Sequence, residues 1–287
     1  MTKNFEKKVF KKGSTTYYFS AKFFPKRIRR DIARLYSFVR IANDYVLEEP
    51  RQPEKIAELT RQYKEALKTE HFDPTTHSWD DQDTKIVKNM MRLTQRYKFD
   101  PNWVESFLEA MKADIQPKAA STLSASLEYV KGSGEVIGLM LAKILKLPEE
   151  AWEAAKLQGR AMQWLNFLRD LPNDIKRGRQ YFPDEDLKAS GLADFSEEAA
   201  RANPEAFKKF VDIQLKRYRE WQLEAEKGYE HLPKRYRIPL QTAAEMHNWT
   251  AKVIKRQPML IFRKKIMPRQ PRVLIRGAIR KARQLIR

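Results

Sequence analysis

The sequence predicts an all-α protein, and three observations carry that prediction. Apolar residues recur at three- and four-residue intervals along most of the chain, the period of an amphipathic helix. Runs of alternating β-branched residues between turn signals are nearly absent. No internal repeat, low-complexity linker or break in composition divides the 287 residues. A chain of that length buries a sizeable core, here in one domain of roughly ten helices.

From Pro25 the chain reads "KRIRRDIARLYSFVRIANDYVLE", with Ile28, Ile32, Leu35, Tyr36, Val39 and Ala42 on one stripe. Pro50 and Pro53 mark the end of that helix. A second helix is expected in "EKIAELTRQYKEALKTEHF", followed by a polar turn, "DPTTHSWDDQD". "TKIVKNMMRLTQRY" is helical again, and "PNWVESFLEAMKADI" opens on a proline and carries an apolar face. After Pro117, "SASLEYVKGSGEVIGLMLAKIL" reads as a helix interrupted at Gly132 and Gly134. "PEEAWEAAKLQGRAMQWLNFLRDLPNDIKRG" gives a long helix stopping near Gly178, and "RQYFPDEDLKASGL" a loop with a short turn. Helices resume in "NPEAFKKFVDIQLKRYREWQLEAEKGYEHL" and again from Tyr236 to about Arg256.

The last segment differs in character. In "QPRVLIRGAIRKARQLIR", Leu274, Ala278 and Leu285 join Ile275, Ile279, Ala282 and Ile286 on an apolar face, and six Lys and Arg side chains supply dense positive charge. That composition suits a helix lying on an anionic membrane surface. It suits equally a terminal helix docked on the body with a solvated basic face. The expected organisation is a helical domain over 1–271 and a basic amphipathic helix over 272–287.

Composition narrows the chemistry. The chain has no cysteine, which excludes disulfides and thiolate metal sites. Its four histidines, His71, His77, His231 and His247, form no metal-binding spacing, so a resident metal is expected to be a hard cation on carboxylates. Lys and Arg outnumber Asp and Glu by 57 to 37, a formal charge of +20 that attracts polyanions without choosing among them. No nucleic-acid motif accompanies that charge, and the basic residues are spread over most helices, so no nucleic-acid partner is expected. The basic N-terminus lacks the apolar run of a secretory signal, and no stretch reaches the length of a membrane span. A cytoplasmic protein follows, with peripheral attachment at the inner membrane surface as the variant the last helix allows.

Three constellations carry candidate chemistry. In "QWLNFLRDLPNDIKRGRQYFP", Asp170 and Asp174 are one helical turn apart, Asn166 lies one turn earlier, and Gln163 three residues before that. These polar groups line one stripe of a helix rich in Trp164, Leu165, Phe167 and Leu168. The stripe reads either as a solvated acidic face or as a site for a divalent ion shared with phosphates. In the second, Tyr36, Arg40, Asp44 and Glu48 follow one another at four-residue spacing, the pattern of an ion-pair ladder worth a few tenths of a kcal/mol per pair. In the third, Gly132, Gly134 and Gly138 thin a helix, for close packing or to make room for a bulky apolar ligand. Two acidic stripes facing each other across an apolar cavity would clamp a diphosphate through Mg²⁺ and keep water from a carbocation.

From about Ser14 to Arg272 the chain resembles the squalene and phytoene synthase family, the head-to-head prenyl diphosphate synthases. "GSTTYYFSAKFFP" is similar to the family's Ser-rich N-terminal segment, and "LYSFVRIANDYV" to its first aspartate-rich helix, VRxADDYVD. "YVKGSGEVIGLML" is similar to its YxxGSAEVIGLMM helix, and "GRAMQWLNFLRDLPNDIKRGRQYFP" to its long QxxNxxRDxxxDxxxGRxYxP signature. The resemblance implies a class I isoprenoid synthase-type helical bundle around a central apolar cavity. It implies condensation of two farnesyl or geranylgeranyl diphosphates with Mg²⁺ (Mn²⁺ as the alternative ion); no NADPH is expected.

Residue by residue, the resemblance implies metal binding by Asp170, Asp174, Asn166 and the surviving first-motif acid, Asp44. Arg40 would contact diphosphate and Tyr129 would face the reacting centre. Ser14 and Tyr17 would lie on an N-terminal flap. Tyr36, Gln163, Arg169, Arg179 and Tyr181 complete the expected substrate-binding set. The chain departs from the family where Asn43 and Leu47 replace two of the three first-motif acids, where His247 stands for a usual tyrosine, and where "DIQPKAAST" lacks an Arg-Tyr-x-Thr character. Those departures leave two rivals: a non-catalytic prenyl-lipid-binding or assembly factor, and a class I terpene cyclase acting on one prenyl diphosphate.

Overall fold

The computed structural model describes residues 5–68 and 82–286. His71, His77 and most of the polar turn expected at 73–83 lie outside the described residues. The first half of the chain forms α1 (Phe5–Gly13), α2 (Thr15–Ala21), α3 (Lys26–Leu47), α4 (Pro53–Lys68), α5 (Gln82–Tyr97), α6 (Pro101–Ala113) and α7 (Leu123–Val130). After a π-helical turn at Lys131–Glu135 come α8 (Val136–Ile144), α9 (Trp152–Lys176), α10 (Asp184–Ser190) and α11 (Glu197–Ala202). The remainder is α12 (Pro204–Lys227), α13 (Lys234–Arg256), α14 (Leu260–Arg263) and α15 (Gln270–Ile286). No strand occurs among the described residues.

Local chemistry sets many of these boundaries. Asp100 caps α6 by accepting from the Asn102 amide at 2.9 Å, and Pro101 fills the first helical position, where a missing N–H costs nothing. Thr122, Ser196 and Asn203 cap α7, α11 and α12 in the same way. Gly191, at φ 78°, ends α10 in the left-handed conformation that glycine adopts without strain.

The helices outnumber the sequence expectation for a physical reason. Short pieces such as α1, α10 and α14 hold too few residues for periodicity to reveal, and they are stabilised by tertiary burial instead. Phe10 of α1 is buried against Tyr36, their rings stacked at 4.4 Å. The segment read as a loop at 179–192 contains the seven-residue α10, anchored by buried Asp186, which takes a bidentate pair from Arg217 at 2.5 and 2.8 Å.

Two apolar clusters make the core. One gathers α1 to α6 with α8 around Phe38, Ile56, Tyr63 and Phe107; the other joins α9, α12 and the connections around them through Trp164, Phe182, Phe207 and Phe210. Tyr129 packs against both. Where α8 and the π-turn cross α9 the backbones nearly touch: a Cβ at Gly138 would overlap the Ala155 carbonyl, and one at Gly159 the Gly134 carbonyl. The glycine-thinned stretch therefore serves close packing here, and that packing sets the separation of the two walls of the cavity described below.

Gly159→Ala should lower the unfolding free energy by about 1–3 kcal/mol, because backbone has to shift to admit the methyl. Urea unfolding followed by circular dichroism would show it as a lower midpoint with an unchanged slope.

Candidate active site

Between the two clusters lies a cavity of about 560 Å³. Its walls come from α2, α3, the π-turn with α8, and α9, with α13 closing one side. Most of the lining is apolar; the polar groups converge at one end, where α3 and α9 face each other.

On α9 the sequence stripe is realised. Gln163, Asn166, Asp170 and Asp174 all line the cavity, because residues three and four apart share one face of a helix. Asp170 is gripped by Arg169 at 3.0 and 2.5 Å and by Lys265 at 3.2 Å. Burial pushes its carboxyl up, but the two cations outweigh that and hold it below the ordinary carboxylate value. Asp174 has the opposite fate. Burial, reinforced by the neighbouring charge of Asp170, pushes it up to about 7, with Arg179 only partly compensating.

On α3 the expected ladder forms: Arg40 pairs with Asp44 at 2.6 Å and reaches Glu48 at 3.5 Å. Register then decides what the cavity sees. Tyr36, Arg40, Asn43, Leu47 and Glu48 line it, and Asp44 stands between Arg40 and Glu48, paired with Arg40. Burial pushes the Asp44 carboxyl up, against the pull of Arg40. The Asp44 carboxylate is engaged by Arg40 beside the cavity, while Asn43 and Leu47 put an amide and an aliphatic side chain into it.

Arg179 also departs from expectation. It is fully buried and off the cavity, donating to the Val46 and Asp114 carbonyls and lying 3.7 Å from the Asp114 carboxylate. It ties the loop after α9 to the end of α3 rather than facing a substrate. Tyr129 and Tyr181 do line the cavity, and both hydroxyls donate to Asp114, at 2.6 and 2.9 Å. Tyr181 stacks on Phe167 at 4.3 Å and sits 4.8 Å from the Tyr129 ring, forming an aromatic wall whose faces suit a cationic centre.

Ser14 and Tyr17, at the start of α2, line the cavity. Ser14 caps α2 by accepting from the Tyr17 amide at 3.1 Å. The Tyr17 hydroxyl meets His247 Nε2 at 3.2 Å, and His247 Nδ1 lies 3.0 Å from the Ala243 carbonyl. An imidazole N–H donating to that carbonyl leaves Nε2 as an acceptor, so Tyr17 donates. Burial, with the Arg169 charge adding to it, pushes His247 down to about 4, so the ring is neutral at physiological pH.

Sequence reasoning missed three participants: Asp114 as a hub, Lys265 on Asp170, and His247 as the partner of Tyr17. Their partners lie 15, 67, 95 and 230 residues away or thereabouts, far beyond any local spacing rule. The departure at His247 was the only local signal.

The donor set on α9 fits one Mg²⁺. The ion takes one or two carboxylates and completes its shell with substrate phosphates and water. Asp174, held near neutrality by a shortage of positive charge, is a carboxyl that a divalent cation would ionise. Among the described residues no three His, Asp or Glu side chains are grouped to hold a metal by themselves. The α3 wall presents Asn43, Leu47 and Glu48 to the cavity.

An all-helical bundle around an apolar cavity, with converging acids and cations at one end, defines the isoprenoid-synthase class. Residues 10–276 match the squalene/phytoene synthase family, and the chain belongs to that family. Over 176 residues it is 27% identical to the 4,4'-diapophytoene synthase of Staphylococcus haemolyticus, covering 61% of this chain and 59% of that protein. Over 241 residues it is 24% identical to the 15-cis-phytoene synthase of Pantoea ananas, covering 82% of this chain and 76% of that one. The chain thus spans less than two-thirds of the staphylococcal relative. Its fold is similar to the crystal structure of a dehydrosqualene synthase in complex with ligand, at a TM-score of 0.82 and 20% identity, covering 98% and 96% of the two chains.

The raised Asp174 pKa predicts a pH dependence of stability. Unfolded, the carboxyl ionises near its ordinary value of about 4; folded, it keeps its proton to about 7. The folded state therefore holds the extra proton, and stability should fall as pH rises through that window and then level off. Asp174→Asn should remove this slope and unfold at higher urea than wild type at about pH 8 in chelator-containing buffer.

Proposed function

We propose that this chain joins two prenyl diphosphates head to head, farnesyl or geranylgeranyl, releasing diphosphate and leaving a phytoene- or squalene-type hydrocarbon. The observation that carries the reading is the pair of half-buried Asp170 and buried Asp174 among the polar residues lining an apolar cavity. Residues 1–271 would form the catalytic unit, with 272–287 appended to it.

In this reading Asp170 and Asp174 hold Mg²⁺, with the Asn166 and Gln163 amides beside them. Bound there, the ion neutralises the charge that develops on a departing diphosphate. Arg40, Arg169 and Lys265 add fixed positive charge where the diphosphate sits, which lowers the cost of ionisation in a site shielded from water. The Tyr129, Phe167 and Tyr181 rings hold the reacting carbon end and exclude water from it. Tyr36 and the flap residues Ser14 and Tyr17 close the cavity from the α2 side. Asp114 and Arg179 act at one remove, fixing the tyrosines and the loop that carries Tyr181.

The α3 wall sets the limit on rate. Asn43 offers a neutral oxygen and Leu47 none, so the diphosphate on that side is held by Arg40 with less help from a divalent ion. Slow turnover follows, without a change of reaction class.

The experiment is incubation with farnesyl and with geranylgeranyl diphosphate, with and without Mg²⁺, followed by product identification. A C30 or C40 hydrocarbon formed only with the ion is expected. Asp170→Ala and Asp174→Ala should each cost at least roughly a hundredfold in kcat/KM; full activity in either variant would refute the assignment. Asn43→Asp combined with Leu47→Asp should raise turnover by about tenfold or more. Tight prenyl binding with no turnover in that double variant would instead mark a non-catalytic member of the family.

A further inference from the structure

The C-terminal helix divides its apolar residues between two sides. Val273 is fully buried, Leu274 is half-buried against the core, and Gly277 lies under the Phe23 ring, so this side is seated on α2 and α13. Arg276 and Arg280 pin the seat by pairing with Glu245 at 3.1 Å each. The single apolar face expected from the sequence is thus split. Ile275, Ala278, Ile279 and Ala282 recur at three- and four-residue spacing on the opposite side, and all four are exposed.

That exposure is unusual for this molecule. Among the described residues only four large hydrophobic side chains are exposed: Leu223, Met267, Ile275 and Ile279. Three of the four fall within 267–279, and Ile275 is 57% exposed. Scattered single cases need no explanation, but a row of them on a helix already docked by its other side does. The surrounding charge is one-signed. From Arg263 to Arg287 the sequence holds ten Lys and Arg and no Asp or Glu.

We propose that the outward side of α15, together with the basic segment leading into it, docks on an anionic lipid bilayer. Ile275 and Ile279 would enter the acyl boundary, with the exposed Arg263 and Arg269 of the leading segment at headgroup level, the arrangement of a helix lying in the interface plane. No helix among the described residues is long and apolar enough to cross a membrane, so attachment here is in the plane. Charge complementarity selects the bilayer over a protein groove: three of the ten cations, Lys265, Arg276 and Arg280, are paired with Asp170 and Glu245, but the segment carries no acid of its own to repel a sheet of anionic headgroups.

The same segment borders the cavity. Lys265 and Met267 both line it, and Lys265 is the cation 3.2 Å from Asp170. Docking by α15 therefore sets the polar end of the cavity beside the bilayer, where a lipid chain would enter or leave; this last step rests on the prenyl reading above, whereas the docking itself does not.

The test needs no substrate. The full chain is floated with phosphatidylcholine vesicles with and without about one-third phosphatidylglycerol. Binding should require the anionic lipid. Ile275→Gln with Ile279→Gln, which leaves the net charge unchanged, should weaken it by about tenfold or more. Leu223→Gln, on α12, should leave it as in wild type. Equal binding by the double variant would reduce the surface to a diffuse attraction for polyanions and overturn the proposal, as would equal binding to neutral vesicles. Loss of binding in Leu223→Gln would overturn the assignment to α15. Absence of turnover with prenyl diphosphates would remove the reaction reading while leaving the vesicle result intact.

Discussion

Asp114 holds together the parts of the molecule on which the site depends. It sits at the end of α6, nearly out of reach of water, and accepts from Tyr129 on α7 and Tyr181 on the loop after α9. Arg179 lies beside it and reaches on to the Val46 carbonyl at the end of α3. One carboxylate thereby joins the four segments that surround the polar end of the cavity. A buried charge is tolerated only when such partners are in place, because removing any one of them leaves the remainder unpaired in a low-dielectric interior. Burial still pushes the Asp114 carboxyl up, which measures how close the balance is.

The imbalance reappears at Asp174. Asp170 has two cations of its own, and Arg179 is shared with Asp114, so Asp174 is left with burial and two acidic neighbours. The protein therefore carries, beside an apolar cavity, a carboxyl that burial holds well above the ordinary carboxylate range. That burial distinguishes the α9 stripe from the solvated acidic face that its spacing alone allowed. The closely packed glycines at the crossing of α8 and α9 fix where that stripe stands relative to the aromatic wall.

What the sequence made legible was whatever repeats at helical spacing. The Gln163, Asn166, Asp170 and Asp174 stripe and the Tyr36, Arg40, Asp44 and Glu48 ladder are i, i+3 and i, i+4 patterns, and both stand in the fold as read. Contacts between distant segments were not legible. Nothing local ties Lys265 to Asp170 or Tyr17 to His247, and Arg179 reads as a site residue until its burial is seen. Side-chain direction was the subtler loss. Asn43 and Leu47 turn an amide and an aliphatic side chain into the cavity, while Asp44, on the Arg40 side of the same helix, is held by that guanidinium. The two-sided character of α15 escaped for the same reason, since periodicity gives a face but not what the face meets.

The two walls of the cavity are chemically unequal, and this bears on how the chain differs from a symmetric metal clamp. The α9 wall presents paired carboxylates to the cavity; the α3 wall presents a guanidinium, an amide and an aliphatic chain, with Glu48 drawn toward Arg40. In the proposed reading a diphosphate would meet guanidinium groups on both walls, Arg40 on α3 and Arg169 on α9, with the acids of α9 beside the second. Fixed guanidinium groups bind phosphate directly and do not wait for an ion. Divalent ions, by contrast, must be assembled with the ligand and concentrate charge more strongly at the leaving oxygens. On the proposed reading, an α3 wall built this way would hold a diphosphate, and the chemistry of its departure would fall to the side that carries Asp170 and Asp174.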